Sequence, residues 1–300
     1  MRQSLTQPCS RFATLLTIAM LCWPAIGQAQ VVTLYDSGGF ESPGFGAGVL
    51  GSYYQGGGGG QQSWLTTDFN QLLGLPAGLI QNSVVHSGAQ AFHINGPRLF
   101  NDPNFGGQTF WYRNFPSAAT AFNPVANGTP VVNMKFHEFV TGTALNITDM
   151  PLVGVYMEGY TPGGTQAALG SLLLNLNGGV TAITVGGNAV STADNIYSRN
   201  SWHQLDVQFN FESQTYRAYL NGSLLTFGGG LTDVPFRNTL NRIAEYGFQA
   251  SFNQFSGSTT NSAYFDNLVV SATVVPEPSS FALGIAAVGG IACLRRRRNR

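Results

Sequence analysis

The chain has 300 residues, with fourteen basic and fourteen acidic side chains and 38 glycines. Seven of the basic residues lie in the first 29 or the last 25 positions. Residues 30–275 therefore hold seven basic against thirteen acidic residues, a formal charge of −6. That excess of acid argues against nucleic acid as a partner, since binding phosphates needs a basic face. The three cysteines (Cys9, Cys22 and Cys293) all lie outside this region, which therefore contains no disulfide or thiolate metal site.

The first 29 residues have the order of a secretory signal peptide. Arg2 and Arg11 make a positively charged start, residues 12–26 form an apolar stretch, and a small-x-small cleavage site ends at Ala29. We expect signal peptidase to cut after Ala29 and to leave Gln30 as the new N-terminus. The sequence thus predicts export by the general secretion machinery.

Residues 30–275 are predicted to form one domain of short β-strands. Apolar and polar residues alternate from His203 to Phe211 and from Ile243 to Phe252, the period of a half-buried strand. A further strand, residues 215–220, ends at Asn221-Gly222, a strong hairpin signal. The other predicted strands are 31–35, 91–95, 108–112, 131–140, 152–158, 169–176, 180–185 and 263–271. Since no stretch combines a helical period with caps, we predict an all-β fold, a two-sheet antiparallel β-sandwich.

Parts of this domain resemble concanavalin A-like, or laminin-G-like, jelly rolls. The residues that carry the resemblance are Trp202 to Leu205 and Tyr216 to Gly222, which match a hairpin of that family. The closing segment Tyr264 to Val269 and the opening Gly39-Phe40-Glu41 also recur in bacterial surface sandwiches and carbohydrate-binding modules. The resemblance implies a jelly-roll body with its first and last strands side by side.

The same resemblance suggests a metal site. In such sandwiches two carboxylates on the first and last strands often hold a structural calcium, and Glu41 and Asp266 occupy the matching positions. Hard oxygen ligands suit Ca²⁺, and an exported domain without disulfides would gain stability from the ion. The alternative is two exposed acids at strand ends, and no other cofactor is indicated.

A search for catalytic residues finds no established motif. Glu138, Asp149 and Glu158 are too widely spaced to share one strand face and would have to converge in space to cleave a glycan. Lys135 and His137 lie on one face of a predicted strand, which would suit proton abstraction in a lyase, although a polar outer face is the simpler interpretation. We therefore predict that the protein is not an enzyme.

Aromatic side chains offer a second route to sugars. Trp64 and Trp111 lie in glycine-rich or irregular segments and are candidates for stacking on carbohydrate. With 21 phenylalanines available to fill a core, burial of both tryptophans is the alternative. Extracellular polysaccharide is accordingly a candidate partner.

The last 25 residues combine three elements. Pro276-Glu277-Pro278 resists regular structure, residues 281–294 form an apolar run, and four arginines, Arg295, Arg296, Arg297 and Arg298, follow. A helix of fourteen residues would be about 21 Å long, short of a hydrocarbon core of roughly 30 Å. Such a marginal span suits a transient stop in the membrane, and a plain C-terminal anchor is the alternative.

This order of elements resembles the PEP-CTERM sorting signal of exported bacterial proteins. The resemblance implies recognition of Pro276, Glu277 and Pro278 by a membrane protease, an exosortase, with the arginines held in the cytoplasm. We therefore expect an inner-membrane intermediate, followed by delivery to the cell surface or extracellular matrix. The expected role is structural or adhesive. The alternatives are a carbohydrate-binding module and a glycan hydrolase or lyase.

Overall fold

The computed structural model describes residues 31–53, 60–68, 71, 76–95, 108–115, 117–141, 152–175, 177–251 and 262–274. The predicted signal peptide (1–29) and the predicted sorting tail (276–300) lie outside these residues. Within the described ranges the regular structure is β-strand with short 3₁₀ turns, and no helix there is long and apolar enough to cross a membrane.

Two sheets make up the domain. Sheet 1 contains ten strands: β1 (Val31–Asp36), β2 (Gly48–Val49), β5 (Gly78–Gln81), β6 (Ala91–Asn95), β8 (Val131–Val140), β13 (Trp202–Asn210), β14 (Thr215–Leu220), β15 (Ser223–Leu224), β16 (Val234–Pro235) and β18 (Ser262–Thr273). Sheet 2 contains eight: β3 (Ser52–Tyr53), β4 (Leu65–Thr66), β7 (Gln108–Asn114), β9 (Leu152–Tyr160), β10 (Gln166–Leu174), β11 (Val180–Ile183), β12 (Ala189–Ser191) and β17 (Arg242–Ser251). The 3₁₀ turns are Gly38–Phe40, Gln61–Ser63, Val185–Gly187 and Gly228–Gly230.

The strand order confirms the predicted two-sheet sandwich. Sheet 1 runs β15-β14-β13-β8-β18-β6-β5-β2, with β1 on β18 and β16 on β14, and sheet 2 runs β12-β11-β10-β9-β17-β7-β4-β3. The pairs are antiparallel except β3 with β4. Successive strands β6, β7, β8 and β9 alternate between the sheets, as do β16, β17 and β18, which is the crossing pattern of a jelly roll.

The alternation read from the sequence decides which side chains face the core. In β13 the apolar residues Leu205, Val207 and Phe209 are buried, while the polar residues between them are half-buried on the opposite face. At the end of β14, Asn221 and Gly222 adopt φ values of 50° and 81°, which a two-residue turn into β15 requires. Both predictions are confirmed.

The core corrects one prediction. Trp64 and Trp111 are each 0% exposed, so neither ring is available to stack on a sugar. Trp64 stacks on Phe248 with ring centroids 5.5 Å apart, and its Nε1 donates to the Tyr35 hydroxyl at 3.0 Å. Burying such large rings removes the most apolar area from water per side chain, which explains why both tryptophans lie in the core.

Candidate functional site

The outward surface of sheet 2 carries a connected set of polar and aromatic side chains. In β9, Val153, Val155 and Met157 point into the core, so the residues between them point outward. Gly154, in one of those outward rows, has no side chain. We call the outward surface of β7, β9, β10 and β17 the front face. Its side chains are Phe110, Tyr112, Tyr156, Glu158, Gln166, Ser171, Glu245 and Gln249.

Two carboxylates meet on this face. Glu158 of β9 and Glu245 of β17 are directly opposite each other in the strand register. The side-chain nitrogen of Gln166 donates to Glu158 Oε2 at 2.9 Å and to Glu245 Oε2 at 3.1 Å. Because both oxygens contact one nitrogen, they are no more than about 6 Å apart. A shared amide thus holds two acids side by side.

The two acids have different environments. Burial, followed by the nearby Glu158 charge, raises the pKa of Glu245 to about 7, and hydrogen bonds from Tyr156 and Gln166 act in the opposite direction. A carboxyl with that pKa exchanges its proton near neutral pH. Acid–base chemistry requires such a group, although buried structural pairs show similar shifts.

Tyr156 connects the acids to the aromatic part of the face. Its hydroxyl donates to Glu245 Oε1 at 2.8 Å, and burial holds its pKa well above the usual range, so it remains a donor. Its ring centroid is 4.6 Å from that of Phe110, although β17 lies between their strands. Gly247 is the residue of β17 opposite Tyr156, and its missing side chain leaves room for this contact.

The rest of the face is polar and partly accessible. Ser171 donates its hydroxyl to Gln249 Oε1 at 2.8 Å. Tyr156 and Gln249 are buried, whereas Glu158, Glu245, Phe110 and Tyr112 are half-buried and Gln166 is exposed. A ligand can therefore reach the carboxylates and the rings of β7.

The acids weighed from the sequence do not come together as a group. Glu138 lies on the inward side of β8, is 0% exposed, and has no hydrogen-bond partner among the described residues on either carboxylate oxygen. Asp149 lies outside the described residues. Glu158 pairs instead with Glu245, which sequence reasoning did not single out. The signal was present in the two predicted strands, but their pairing and register are not visible in the sequence.

The side chains of Glu41 and Asp266 both contact the loop between β5 and β6. Glu41 Oε1 accepts from the backbone amides of Ala89 and Gln90 at 2.7 and 2.9 Å. Asp266 Oδ2 accepts from those of His86 and Ser87 at 3.1 and 3.0 Å.

Backbone amides thus donate to Glu41 Oε1 and Asp266 Oδ2, one oxygen of each carboxylate that would bind a cation at this loop. Among the described residues no group of three His, Cys, Asp or Glu side chains could hold a metal. Calcium at Glu41 and Asp266 stays a prediction.

Lys135 and His137 project outward from β8, on sheet 1 and so on the other side of the sandwich from the front face. The ring of His137 stacks on His86 at 3.8 Å. Burial, followed by the charges of His86 and Lys135, lowers the pKa of His137 to about 4. His137 is therefore neutral at pH 7.

No protein-family model and no curated protein matches this sequence. Among solved structures, the chain is similar to a carbohydrate esterase of the Shiga toxin-encoding bacteriophage phi24B, with 14% identity and a TM-score of 0.46 over 81% of this chain and 99% of that one. It is also similar to the family 7 alginate lyase A1-II′, with 12% identity and a TM-score of 0.43 over 65% and 82%. For a sialidase the values are 9% and 0.40, over 65% of this chain and 16% of that chain. At these TM-scores the similarities assign no function, and the sandwich rests on its own strand pairing.

Proposed function

We propose that this chain is an exported bacterial surface or matrix protein that binds extracellular polysaccharide through the front face. The observation that carries the proposal is the arrangement of accessible rings, Phe110 and Tyr112, beside the amide-bridged carboxylates Glu158 and Glu245. Sugars present apolar C–H surfaces and hydroxyl groups, which an aromatic ring and a carboxylate respectively bind. The preformed hydrogen-bond network holds the carboxylates in place and lowers the entropic cost of binding.

The test uses the half-buried and exposed members of the face. Phe110→Ala and Gln166→Ala should each weaken retention of the protein on extracellular polysaccharide from its native cells by about tenfold, since one ring or one bridging donor contributes on the order of 1 kcal/mol or more. Leu224→Ala, at an exposed position of β15 in sheet 1, is the matched control. Affinity electrophoresis in gels containing that polysaccharide gives the measurement. Equal retention of all variants contradicts the proposal.

The route to the surface is the second part of the proposal. The order of Pro276-Glu277-Pro278, apolar run and arginines in the tail supports recognition by an exosortase, after signal peptidase has cut at Ala29. The partners are then the secretion machinery, the two proteases and the membrane that the tail enters. A protein delivered in this way meets polysaccharide at the cell surface or in the matrix.

A second candidate function is glycan cleavage at the same face, which the pKa of about 7 for Glu245 favours. Glu245 would donate a proton to the leaving oxygen, and Glu158 would act as base or nucleophile. Incubating the protein with the same polysaccharide and assaying reducing ends tests this. Release that Glu245→Gln abolishes supports an enzyme, and no release from the unmodified chain leaves binding as the function.

A further inference from the structure

The outward surface of sheet 1 carries a groove on the side of the sandwich opposite the front face. We call it the back groove, and the residues that define it are Asn133, Lys135, His137, Trp202, Asp206, Gln208 and Arg217. We propose that the back groove is a second binding site, specific for a neutral oligosaccharide chain. It shares a ligand class with the proposed function but none of the residues of the front face.

One end of the groove is aromatic. Four neighbouring strands, β6, β18, β8 and β13, each contribute one ring to a single row across the sheet, and the register pairs these residues directly. The row consists of His93, Tyr264, Phe139 and Trp202, with successive centroid distances of 4.4, 5.9 and 5.5 Å.

Such a row of cross-strand pairs stabilises a sheet, and its last member, Trp202, can also contact a ligand. Pairing of β13 with β14 starts at Leu205, so among the described residues no strand flanks the far side of Trp202, and the His86 ring contacts it in a T-shaped arrangement at 5.5 Å. The ring is half-buried and presents a surface for the apolar face of a sugar.

The middle of the groove contains polar atoms that lack protein partners. His137 Nδ1, Asp206 Oδ1 and Asn133 Oδ1 are shielded from solvent, and none has a hydrogen-bond partner in the described structure. They belong to three successive outward positions along the paired strands β8 and β13. A buried polar atom without a partner destabilises a fold, and a native protein retains a row of them where something else supplies the bonds.

Hydroxyl groups suit these atoms well. A carboxylate or amide oxygen accepts, a neutral imidazole nitrogen either donates or accepts, and a hydroxyl does both. An incoming chain would displace two exposed side chains: Lys135, opposite Asp206 in the register, and His86, whose ring stacks on His137 at 3.8 Å. Three hydroxyls of one oligosaccharide would satisfy the three positions.

A cavity of about 390 Å³ lies at the far end and shares Gln208 and Arg217 with the back groove. The residues that line it are Val131, Gln208, Asn210, Ser213, Thr215, Arg217 and Asp233, and they contribute both apolar stems and polar groups. Arg217 and Asp233 bond to each other through two contacts of 2.7 and 3.1 Å. The volume equals about a dozen waters at roughly 30 Å³ each, which leaves room for a sugar unit and solvent.

Charge selects a neutral ligand. The groove and cavity contain two cations, Lys135 and Arg217, and two anions, Asp206 and Asp233, while His137 is neutral at pH 7. No sign dominates, so neither a polyanion nor a polycation is steered to it. From Trp202 to Asn210 the strand runs about 27 Å at roughly 3.4 Å per residue, the length of an extended chain of several sugars.

Isothermal titration calorimetry of the full chain at pH 7 tests the proposal. The neutral probes are cellohexaose, mannohexaose and xylohexaose, and hexamannuronate is the anionic probe. Trp202→Ala removes the terminal ring, and Ser213→Trp fills the cavity from an exposed loop position without touching the core. Each should weaken binding of a neutral hexasaccharide at least tenfold, while Leu224→Ala leaves that affinity unchanged, and Phe110→Ala reports separately on the front face.

The two sites can fail separately. If Phe110→Ala alone removes binding, the back groove is not a site and the front-face proposal stands. If only Trp202→Ala and Ser213→Trp remove it, the back groove is supported and the front face is not. Binding of none of the neutral probes, or of hexamannuronate alone, overturns the back groove. Thermal unfolding of each variant confirms that the domain remains folded.

Discussion

At the residue scale, Glu138 shows how a buried carboxyl lowers the stability of this sandwich. It points inward from β8 and is 0% exposed, neither oxygen has a hydrogen-bond partner in the part of the chain that the structure describes, and burial raises its pKa well above the usual range. Burial therefore favours the neutral form of the carboxyl inside the core. Its two polar atoms destabilise the fold even in that form.

Replacing Glu138 with methionine should stabilise the domain. The change keeps an unbranched side chain of similar size and removes both unpartnered oxygens, so we expect a gain of about 1 to 3 kcal/mol. Urea unfolding at pH 8 measures it. Glu138→Gln is the matched control, because it keeps two polar atoms and should gain less. A loss of stability in the methionine variant would show that the carboxyl has a partner in solution.

Glu245 gives a pH dependence with a definite sign. Its pKa is about 7 in the folded chain against 4.5 for an ordinary glutamate, so between these values the folded state binds the extra proton. The free energy of unfolding therefore falls as pH rises from about 4.5 to 7. Glu245→Gln should remove this part of the decline and stabilise the domain by roughly 1 to 3 kcal/mol at pH 8, with little effect at pH 4.

Glu158 supplies the control for that prediction. Its charge is the second cause of the raised pKa, so Glu158→Gln should move the pKa of Glu245 downward. NMR titration of the Glu245 side-chain carbon follows the shift directly. An unchanged midpoint in the Glu158 variant would mean that the two carboxylates are not coupled.

At the scale of elements, two carboxylates fasten the loop between β5 and β6 to the first and last parts of the chain. Asp266 accepts two amides of this loop and Glu41 accepts two more. Asp266→Ala should destabilise the domain by about 1 to 3 kcal/mol, because it removes two hydrogen bonds between a carboxylate and part-buried amides. Hydrogen exchange at residues 86 and 87 should accelerate, and exchange in β13 should not. Equal acceleration in both would indicate global unfolding rather than release of the loop.

The predicted calcium site belongs to the same loop. If Glu41 and Asp266 hold the ion, millimolar CaCl₂ should raise Tm and EGTA should reverse the rise, since a ligand that binds the folded state stabilises it. Glu41→Gln should abolish the calcium response, and MgCl₂ serves as the control salt. An identical Tm with CaCl₂ and EGTA would exclude the site and leave the amides as the partners of both carboxylates.

The long strands could be predicted because their burial pattern is local. In β13, the polarity of each residue indicates whether it faces the core or the outside. The predicted range 203–211 differs from the observed strand by one residue at each end. Short strands such as β2 and β15 have two residues each, too few to show a period.

The candidate sites depend on register and could not be predicted in this way. Glu158 and Glu245 are 87 positions apart, and Trp202 and Phe139 become neighbours through pairing of β13 with β8. For the same reason the sequence left Trp64 and Trp111 open between exposed and buried positions, because the composition of a segment says nothing about which side of the sheet it covers.

At the scale of the whole molecule, the prediction concerns the tail. Intact-mass and C-terminal peptide mapping of protein from native cells should show loss of the residues beyond Pro276-Glu277-Pro278 when the exosortase is present. A strain without that enzyme should retain Arg300 in the membrane fraction. Retention of Arg300 in both strains would identify a plain membrane anchor, whereas binding through residues 31–274 would be unaffected.

Lys135, the exposed residue in the middle of β8, is the one lysine among the 300 residues. An amine-reactive dye or linker can therefore attach to the folded domain at a single side chain, besides the N-terminus. That side chain lies at the centre of sheet 1, so a fluorophore placed there reports on one side of the sandwich alone. Because lysine occurs once, the protein can be immobilised in one orientation through the side chain of Lys135.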